Sequence, residues 1–297
     1  MVTPFDEKLA IDFKAVDLIV EHLIKTGTKT IVVNGTTGES PTLDEDEKTE
    51  LLKRVLAQTR KRAKVVMGTG SNSTAKTVKA SQEAEQIGAD GLLVVVPYYN
   101  KPNADGLLAH FKAVAQSTSL PVILYNIPGR TGVNLPVETT VELAQLCPNI
   151  TALKDSTGAT DQTAEIAGKA PSDFTIYSGD DHLLLPFLSV GASGVVSVAS
   201  HIVGGPITEI IENYFKGKHD AARSGYYKYL PLFKGLFAAP NPTCIKYALS
   251  KQGLCKPYLR LPLVELPESS RTALDAILAS VPLDKPETRI EALASQV

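Results

Sequence analysis

The chain has 297 residues, 43% of them hydrophobic and 21% charged, with a formal net charge of −2. This is the composition of an ordinary globular protein, with enough apolar material for one large domain or two modest ones. Its basic residues are dispersed, which excludes the electrostatic footprint of a nucleic-acid or anionic-membrane partner and leaves small molecules as the expected ligands. Cys147, Cys244 and Cys255 are odd in number and form no CxxC pair, so they predict reduced thiols in a reducing compartment and no disulfide framework or zinc knuckle. The aliphatic run 92–96 is far shorter than the ~20 residues of a membrane helix, and the N-terminus carries no signal pattern. A cytoplasmic protein is expected, or one of the plastid stroma in a photosynthetic eukaryote.

In chain order, MVTPF at 1–5 is a stub before a predicted helix at 13–25 that stops at Gly27. Seven short apolar runs follow: TIVVNG from 30, KVVMGTG from 64, GLLVVVP from 91, PVILYNIP from 121, ITALKD from 150, FTIYSGD from 174 and GVVSV from 194. They are too continuously apolar for a half-exposed antiparallel sheet and suit parallel strands covered on both faces. Helical patterns separate them, among them 45–62, which opens on a capping-box pattern, Thr42-x-x-Glu45. This rhythm predicts an α/β fold, a (β/α)8 TIM barrel. A Rossmann reading fails because Gly68-Thr69-Gly70-Ser71-Asn72-Ser73 holds only the first two glycines of G-x-G-x-x-G.

The eighth strand has no place except the stub, so the first strand reads as truncated. Residues 206–217 are the expected eighth helix, which puts the barrel at 1–217. Helical patterns at 220–237, 243–252 and 267–280 form a C-terminal three-helix appendage (218–280), and 281–297 reads as a loose tail. A lost barrel strand leaves two open edges and an unfilled wedge, so low stability is expected unless another segment covers the gap.

Reactive groups in such barrels sit at the C-terminal ends of the strands. Here those ends carry Asn34-Gly35-Thr36-Thr37-Gly38-Glu39-Ser40, Pro97-Tyr98-Tyr99-Asn100, Tyr125-Asn126-Ile127-Pro128-Gly129-Arg130, Lys154, and Ser178-Gly179-Asp180-Asp181. A lysine desolvated at a barrel mouth is freed to attack a carbonyl and form a Schiff base. The plainer alternative is that Lys154 ends its strand and pairs with Asp155, but strand alternation sends Asp155 to the opposite face.

Tyr125 alone is a candidate core residue; with Thr37 and a second tyrosine at the same rim it becomes part of a hydroxyl proton relay. Pro128 and Gly129 set up a turn that folds Arg130 over the mouth, where its fork suits a carboxylate; a solvated loop arginine is the alternative. Backbone N–H groups of the Gly35–Gly38 turn suit a second carboxylate. Asp180 and Asp181 argue against a phosphate there. His22, His110, His182, His201 and His219 show no HxH or HExxH spacing, which sets aside a zinc hydrolase.

GTTGES at 35–40, PYYNKP at 97–102, YNIPGRTG at 125–132, Lys154 and SGDD at 178–181 closely resemble the dihydrodipicolinate synthases of the pyruvate-dependent class I aldolase and lyase superfamily. The resemblance spans residues 2–280. It implies a Schiff base between Lys154 and pyruvate, and a relay of Tyr125, Thr37 and Tyr99, the last supplied by a neighbouring subunit across a tight dimer interface. It also implies that Thr36 holds the pyruvate carboxylate and Arg130 that of aspartate semialdehyde, that Gly179 and Val196 line the pocket, and that no metal or organic cofactor takes part. The implied assembly is a homotetramer built from tight dimers. Sister aldolases acting on other 2-oxo acids share the lysine and tyrosine but as a rule lack the arginine; a metabolite-binding pseudoenzyme is a third reading.

In lysine-inhibited relatives the effector site matches Ser40, Pro41, Glu45, Lys48, Asn72, Lys76 and Tyr98 here. Such relatives usually carry glutamate where this chain has Lys76 and histidine where it has Glu45 and Lys48. A like charge at about 4 Å from the effector ammonium, at an effective dielectric of about 20, opposes binding by about 4 kcal/mol before screening. Weak or absent inhibition by lysine is therefore expected in an initial-rate titration; half-inhibition at sub-millimolar lysine would contradict this.

Overall fold

A computed structural model of the chain describes residues 1–286. Seven strands, β1 (Thr30–Val33), β2 (Lys64–Gly68), β3 (Gly91–Val95), β4 (Val122–Asn126), β5 (Ile150–Asp155), β6 (Thr175–Ser178) and β7 (Gly194–Val195), form one parallel sheet in sequence order. Each crossover carries helix, from Glu45–Thr59 after β1 to Leu184–Ser189 before β7. The apolar runs split cleanly by parity. Val65, Met67, Leu92, Val94, Val122 and Leu124 pack towards the helices in the main core, while Val66, Leu93 and Tyr125 form a second cluster with Val32, Val95, Ile123 and Ile127 on the other face. Two buried faces explain why the strands read as continuous apolar runs.

The stub forms no eighth strand, yet it fills the wedge. Met1 donates through its amino group to the Val32 carbonyl on β1, and Val2 N–H donates to His201 Nε2 beyond β7 at 3.1 Å. The Thr3 hydroxyl donates to Gly38 O at 2.7 Å, and Val2 and Phe5 are fully buried. Residues 1–5 thus join both edges of the sheet without a ladder.

Several expectations shift. The capping box belongs to Asp44 and Glu47, not to Thr42 and Glu45: Glu47 N–H donates to Asp44 Oδ1 at 2.8 Å and Asp44 N–H to Glu47 Oε2 at 3.1 Å. Thr42 ends a preceding 3-10 turn, Ser40–Thr42, where its hydroxyl donates back to Glu39 O. The helix expected from 206 starts earlier, as Ser200–Phe215, with non-helical angles at Val203. Pro206 has no N–H to offer the carbonyl four residues back, which permits that kink. The appendage consists of His219–Gly235, Thr243–Lys251 and Glu268–Ala279.

The stretch after 280 is not loose where it is described: Asp284 N–H donates to Ile202 O at 2.8 Å, Gly205 N–H to Asp284 Oδ2 at 3.1 Å, and Tyr229 OH to Pro282 O at 3.1 Å. Residues 287–297 lie outside the described chain. All three cysteines are buried free thiols, and burial pushes the Cys255 thiol up to about 12.

The appendage is tied to the barrel mouth by a buried ion pair. Lys246 is fully buried and donates to Glu39 Oε1 and, at 2.8 Å, to Tyr258 O. Arg260 N–H donates to the other Glu39 oxygen at 3.1 Å. Lys246 Nζ also lies 4.0 Å from the centroid of the Phe5 ring, which brings the stub into the same cluster. Removing one partner of such a pair strands a buried charge at a cost of about 3–5 kcal/mol. Lys246→Ala is expected to lose about that much in urea denaturation, whereas Lys251→Ala, which breaks a half-exposed pair with Asp275, costs at most about 1 kcal/mol. Equal losses would contradict the assignment.

Candidate active site

Lys154 owes its orientation to a register step. Val122 pairs with Ile150 but Ile123 pairs with Ala152, so Thr151 is skipped and Tyr125 comes into register with Lys154. Uninterrupted pairing would have put Leu153 beside Tyr125 and turned the lysine towards the helices. Instead Lys154 shares the inner face with Tyr125, its Nζ 3.9 Å from the centroid of the tyrosine ring. Asp155, the next residue, is fully buried on the outer face, where it accepts from the Thr163 hydroxyl at 2.7 Å and Thr157 N–H at 2.8 Å. Lys154 has no ion-pair partner among the described residues.

Gly179, at the end of β6, makes room for that lysine. A Cβ there would sit 1.9 Å from Ser156 Oγ and 3.1 Å from both Ser156 Cβ and Lys154 Cε. The adjacent Asp180 carboxyl is raised above the usual range by burial, with the charges of His182 and Lys154 opposing the shift. Asp181 does different work: it accepts from the N–H groups of Val198 and Ala199 at 3.0 and 2.9 Å and from the Ser197 hydroxyl, holding the loop that follows Val196. Val196 N–H donates to Ser178 O at 2.8 Å, which continues the β6–β7 pairing to the rim.

The Gly35–Gly38 segment is a single 3-10 turn, Thr36–Gly38, and its sharp exit is made by Glu39 at φ +55°, not by a glycine. Gly38 serves a close approach: a Cβ there would stand 3.3 Å from Met1 O and Thr3 Oγ1. Thr37 accepts from Asn241 Nδ2 at 2.9 Å. On the opposite rim Pro128–Thr131 forms one helical turn carrying the exposed Arg130. The left-handed residue of that loop is Gly132, at φ +73°, where Gly129 was expected to make the turn. Asn126 braces the loop, donating to Asn134 Oδ1 at 2.8 Å and accepting from Leu135 N–H at 3.0 Å.

Thr36, Tyr125 and Arg130 line a cavity of ≈ 760 Å³. Six of the seven positions matched to the effector site, Ser40, Pro41, Glu45, Lys48, Lys76 and Tyr98, line the same cavity. Asn72 does not; its carbonyl accepts from Asn100 Nδ2 at 2.8 Å. Glu45 is paired with Lys48 at 2.8 Å and not with Lys76. Tyr99 does not enter the cavity: it is 88% exposed, in a left-handed conformation at φ +73°.

The sequence reading named Glu39 only within its motif, with no role of its own, and passed over Lys246 and Asn241. A lone lysine in the apolar run TCIKYAL was a usable sign of a buried cation; nothing in the spacing pointed to its partner or to Asn241. Gly179→Ala is expected to fold but to push Lys154 Cε aside, slowing borohydride-trapped imine formation with a small 2-oxo acid by about tenfold or more. An unchanged trapping rate would show that Gly179 does not set the lysine's position.

Comparison with known proteins agrees with this geometry. The Dihydrodipicolinate synthetase family matches residues 1–281. The chain is 49% identical over 275 residues to 4-hydroxy-tetrahydrodipicolinate synthase 1 of Halalkalibacterium halodurans, covering 93% of each chain. It is 46% identical over 281 residues to the 4-hydroxy-tetrahydrodipicolinate synthase of Bacillus subtilis, covering 95% of this chain and 97% of that one. The crystal structure of dihydrodipicolinate synthase DapA-2 from Bacillus anthracis superimposes with a TM-score of 0.93 at 45% identity, covering 95% of this chain and 96% of that one. A seven-stranded parallel sheet with an inward lysine on β5 and these full-length matches place the chain in the dihydrodipicolinate synthetase family.

Proposed function

We propose that this chain condenses pyruvate with aspartate 4-semialdehyde to give 4-hydroxy-tetrahydrodipicolinate, the reaction for which its relatives are named. The observation that carries the chemistry is the Lys154 amine lying on the face of Tyr125 with no carboxylate partner. The neutral amine attacks the pyruvate ketone to give a carbinolamine; a relay hydroxyl protonates its oxygen, and loss of water leaves an iminium. Loss of a methyl proton then yields an enamine. The enamine carbon attacks the semialdehyde carbonyl, and the substrate's own amine displaces Lys154 to close the ring.

The iminium nitrogen is cationic, and an aromatic face favours it by about 0.5–2 kcal/mol. Thr36 and the backbone beside it receive the pyruvate carboxylate, and Arg130 receives that of the semialdehyde. Tyr125 and Thr37 move protons, and Tyr99 joins them from a second copy of the chain, a role that suits its exposure. Gly179 and Val196 shape the pocket around the lysine. The covalent chemistry belongs to the lysine, so the reaction calls for no metal or organic cofactor. Among the described residues no helix is long and apolar enough to cross a membrane, and the working assembly is a cytoplasmic homotetramer of tight dimers. Pairing of Glu45 with Lys48 leaves Lys76 uncompensated, which supports weak inhibition by lysine.

Intact-mass measurement after pyruvate and borohydride is expected to show one adduct on the parent chain and none on Lys154→Ala. Arg130→Ala should still form the adduct while losing about ten- to a hundredfold in kcat/KM for the semialdehyde, since a charged hydrogen-bond pair contributes about 1.5–3 kcal/mol. An adduct on Lys154→Ala, or a parent chain trapped by pyruvate that does not turn over the semialdehyde, would overturn the proposal.

A further inference from the structure

Asn241 reaches the barrel mouth from just before the helix Thr243–Lys251, 204 positions along the chain from Thr37. Its side chain is buried, and its one hydrogen bond among the described residues runs from Nδ2 to Thr37 Oγ1, at 2.9 Å. The other end of the amide, Oδ1, is buried with no partner. A buried amide whose single polar contact is a hydroxyl of the candidate site has its polarity invested in that hydroxyl.

A threonine hydroxyl accepts through two lone pairs and donates one proton. With one lone pair taken by Asn241, the Thr37 proton is directed away from the amide, and no described residue accepts it. We propose that Asn241 is a positioning residue that fixes the direction of the Thr37 proton, so that Thr37 meets the reacting groups as a donor. The inference rests on the reading of Thr37 as a member of the proton relay.

The surroundings hold both partners in place. Glu39, two residues beyond Thr37, is joined to Lys246, five residues beyond Asn241, and Arg260 N–H binds the second Glu39 oxygen at 3.1 Å. This clamp keeps the two segments at a fixed separation, so the amide cannot withdraw without breaking a buried ion pair. Tyr125 has no comparable bond among the described residues, which leaves Thr37 as the relay hydroxyl whose orientation the protein itself sets.

Asn241→Asp tests the inference because it keeps the size of the side chain and reverses its hydrogen-bonding sense, at the cost of one added charge when ionised. An ionised carboxylate only accepts, so Thr37 must turn its proton towards residue 241 and cease to donate to the mouth. The expected result is a loss of about ten- to a hundredfold in kcat at about pH 9 that shrinks towards about pH 6, as the buried carboxyl takes up a proton and donates again. Asn241→Ala, which leaves the hydroxyl free to rotate, is expected to lose several-fold with a pH profile parallel to the parent's. Thermal melts and end-point borohydride trapping with pyruvate accompany both variants: at about pH 6, where residue 241 is neutral, both are expected to melt like the parent chain, and given time both reach the parent's extent of trapping.

Parallel pH profiles for the two variants, or activities within twofold of the parent, would overturn the inference while leaving the proposed reaction standing. A variant that melts early at about pH 6, where no charge is added, would show Asn241 to be structural and overturn it as well. A parent chain that pyruvate does not label would overturn the reaction and this inference together.

Discussion

Along each strand the two-residue alternation assigns one set of side chains to the helices and the other to the barrel axis, and the pairing of lysine with tyrosine at the mouth depends on that assignment. A slip of one residue exchanges the two sets. On β5 the stakes are highest, because Lys154 and Asp155 are neighbours with opposite destinations. The skipped Thr151 sets the parity that sends the lysine inward beside Tyr125 and the aspartate outward to Thr163. A lysine with no ion-pair partner among the described residues and a hydrogen-bonded carboxylate are thereby kept on opposite faces of a single strand. Had they shared a face, they would have formed a short-range ion pair and the amine would not have been available.

Two lysines illustrate how environment divides one residue type into two kinds of chemistry. Lys246 is fully buried but surrounded by Glu39, the Tyr258 carbonyl and the Phe5 ring, so its protons are engaged. Lys154 is only half-buried, meets an aromatic face and has space beside it because residue 179 lacks a side chain. The first organises the Thr36–Gly38 turn from behind, and the second lies on the inner face beside Tyr125. On the proposed reading, structure and reactivity are thus carried by separate lysines, divided by their surroundings.

Much of this was legible in the sequence. The seven apolar runs, their parallel order and the motifs at their ends are local signals, and a period of two or 3.6 residues survives in any one segment. Arg130, Tyr125 and Lys154 stood out as candidates because each lies at or just past a strand end in a fold whose strand ends form the mouth, and Thr36 through the family resemblance. What was not legible was non-local or depended on backbone detail. The capping box moved by two residues because a 3-10 turn intervened. Asn241 and Lys246 meet residues more than 200 positions away, and no spacing rule spans that interval. The stretch after 280 reads as polar and proline-interrupted, yet Asp284 binds the Ile202 carbonyl and the Gly205 N–H. Composition registers polarity without saying whether a partner awaits it.

The distance along the chain between Glu39 and Lys246 has a consequence for synthesis. Each strand pairs with its predecessor, so the sheet can assemble in the order in which it leaves the ribosome. The turn carrying Thr36 and Thr37 is made early, but the residues that set it are made 207 positions later. The clamp on that turn is therefore complete only once Lys246 and Arg260 have been made, when nearly all of the described chain already exists.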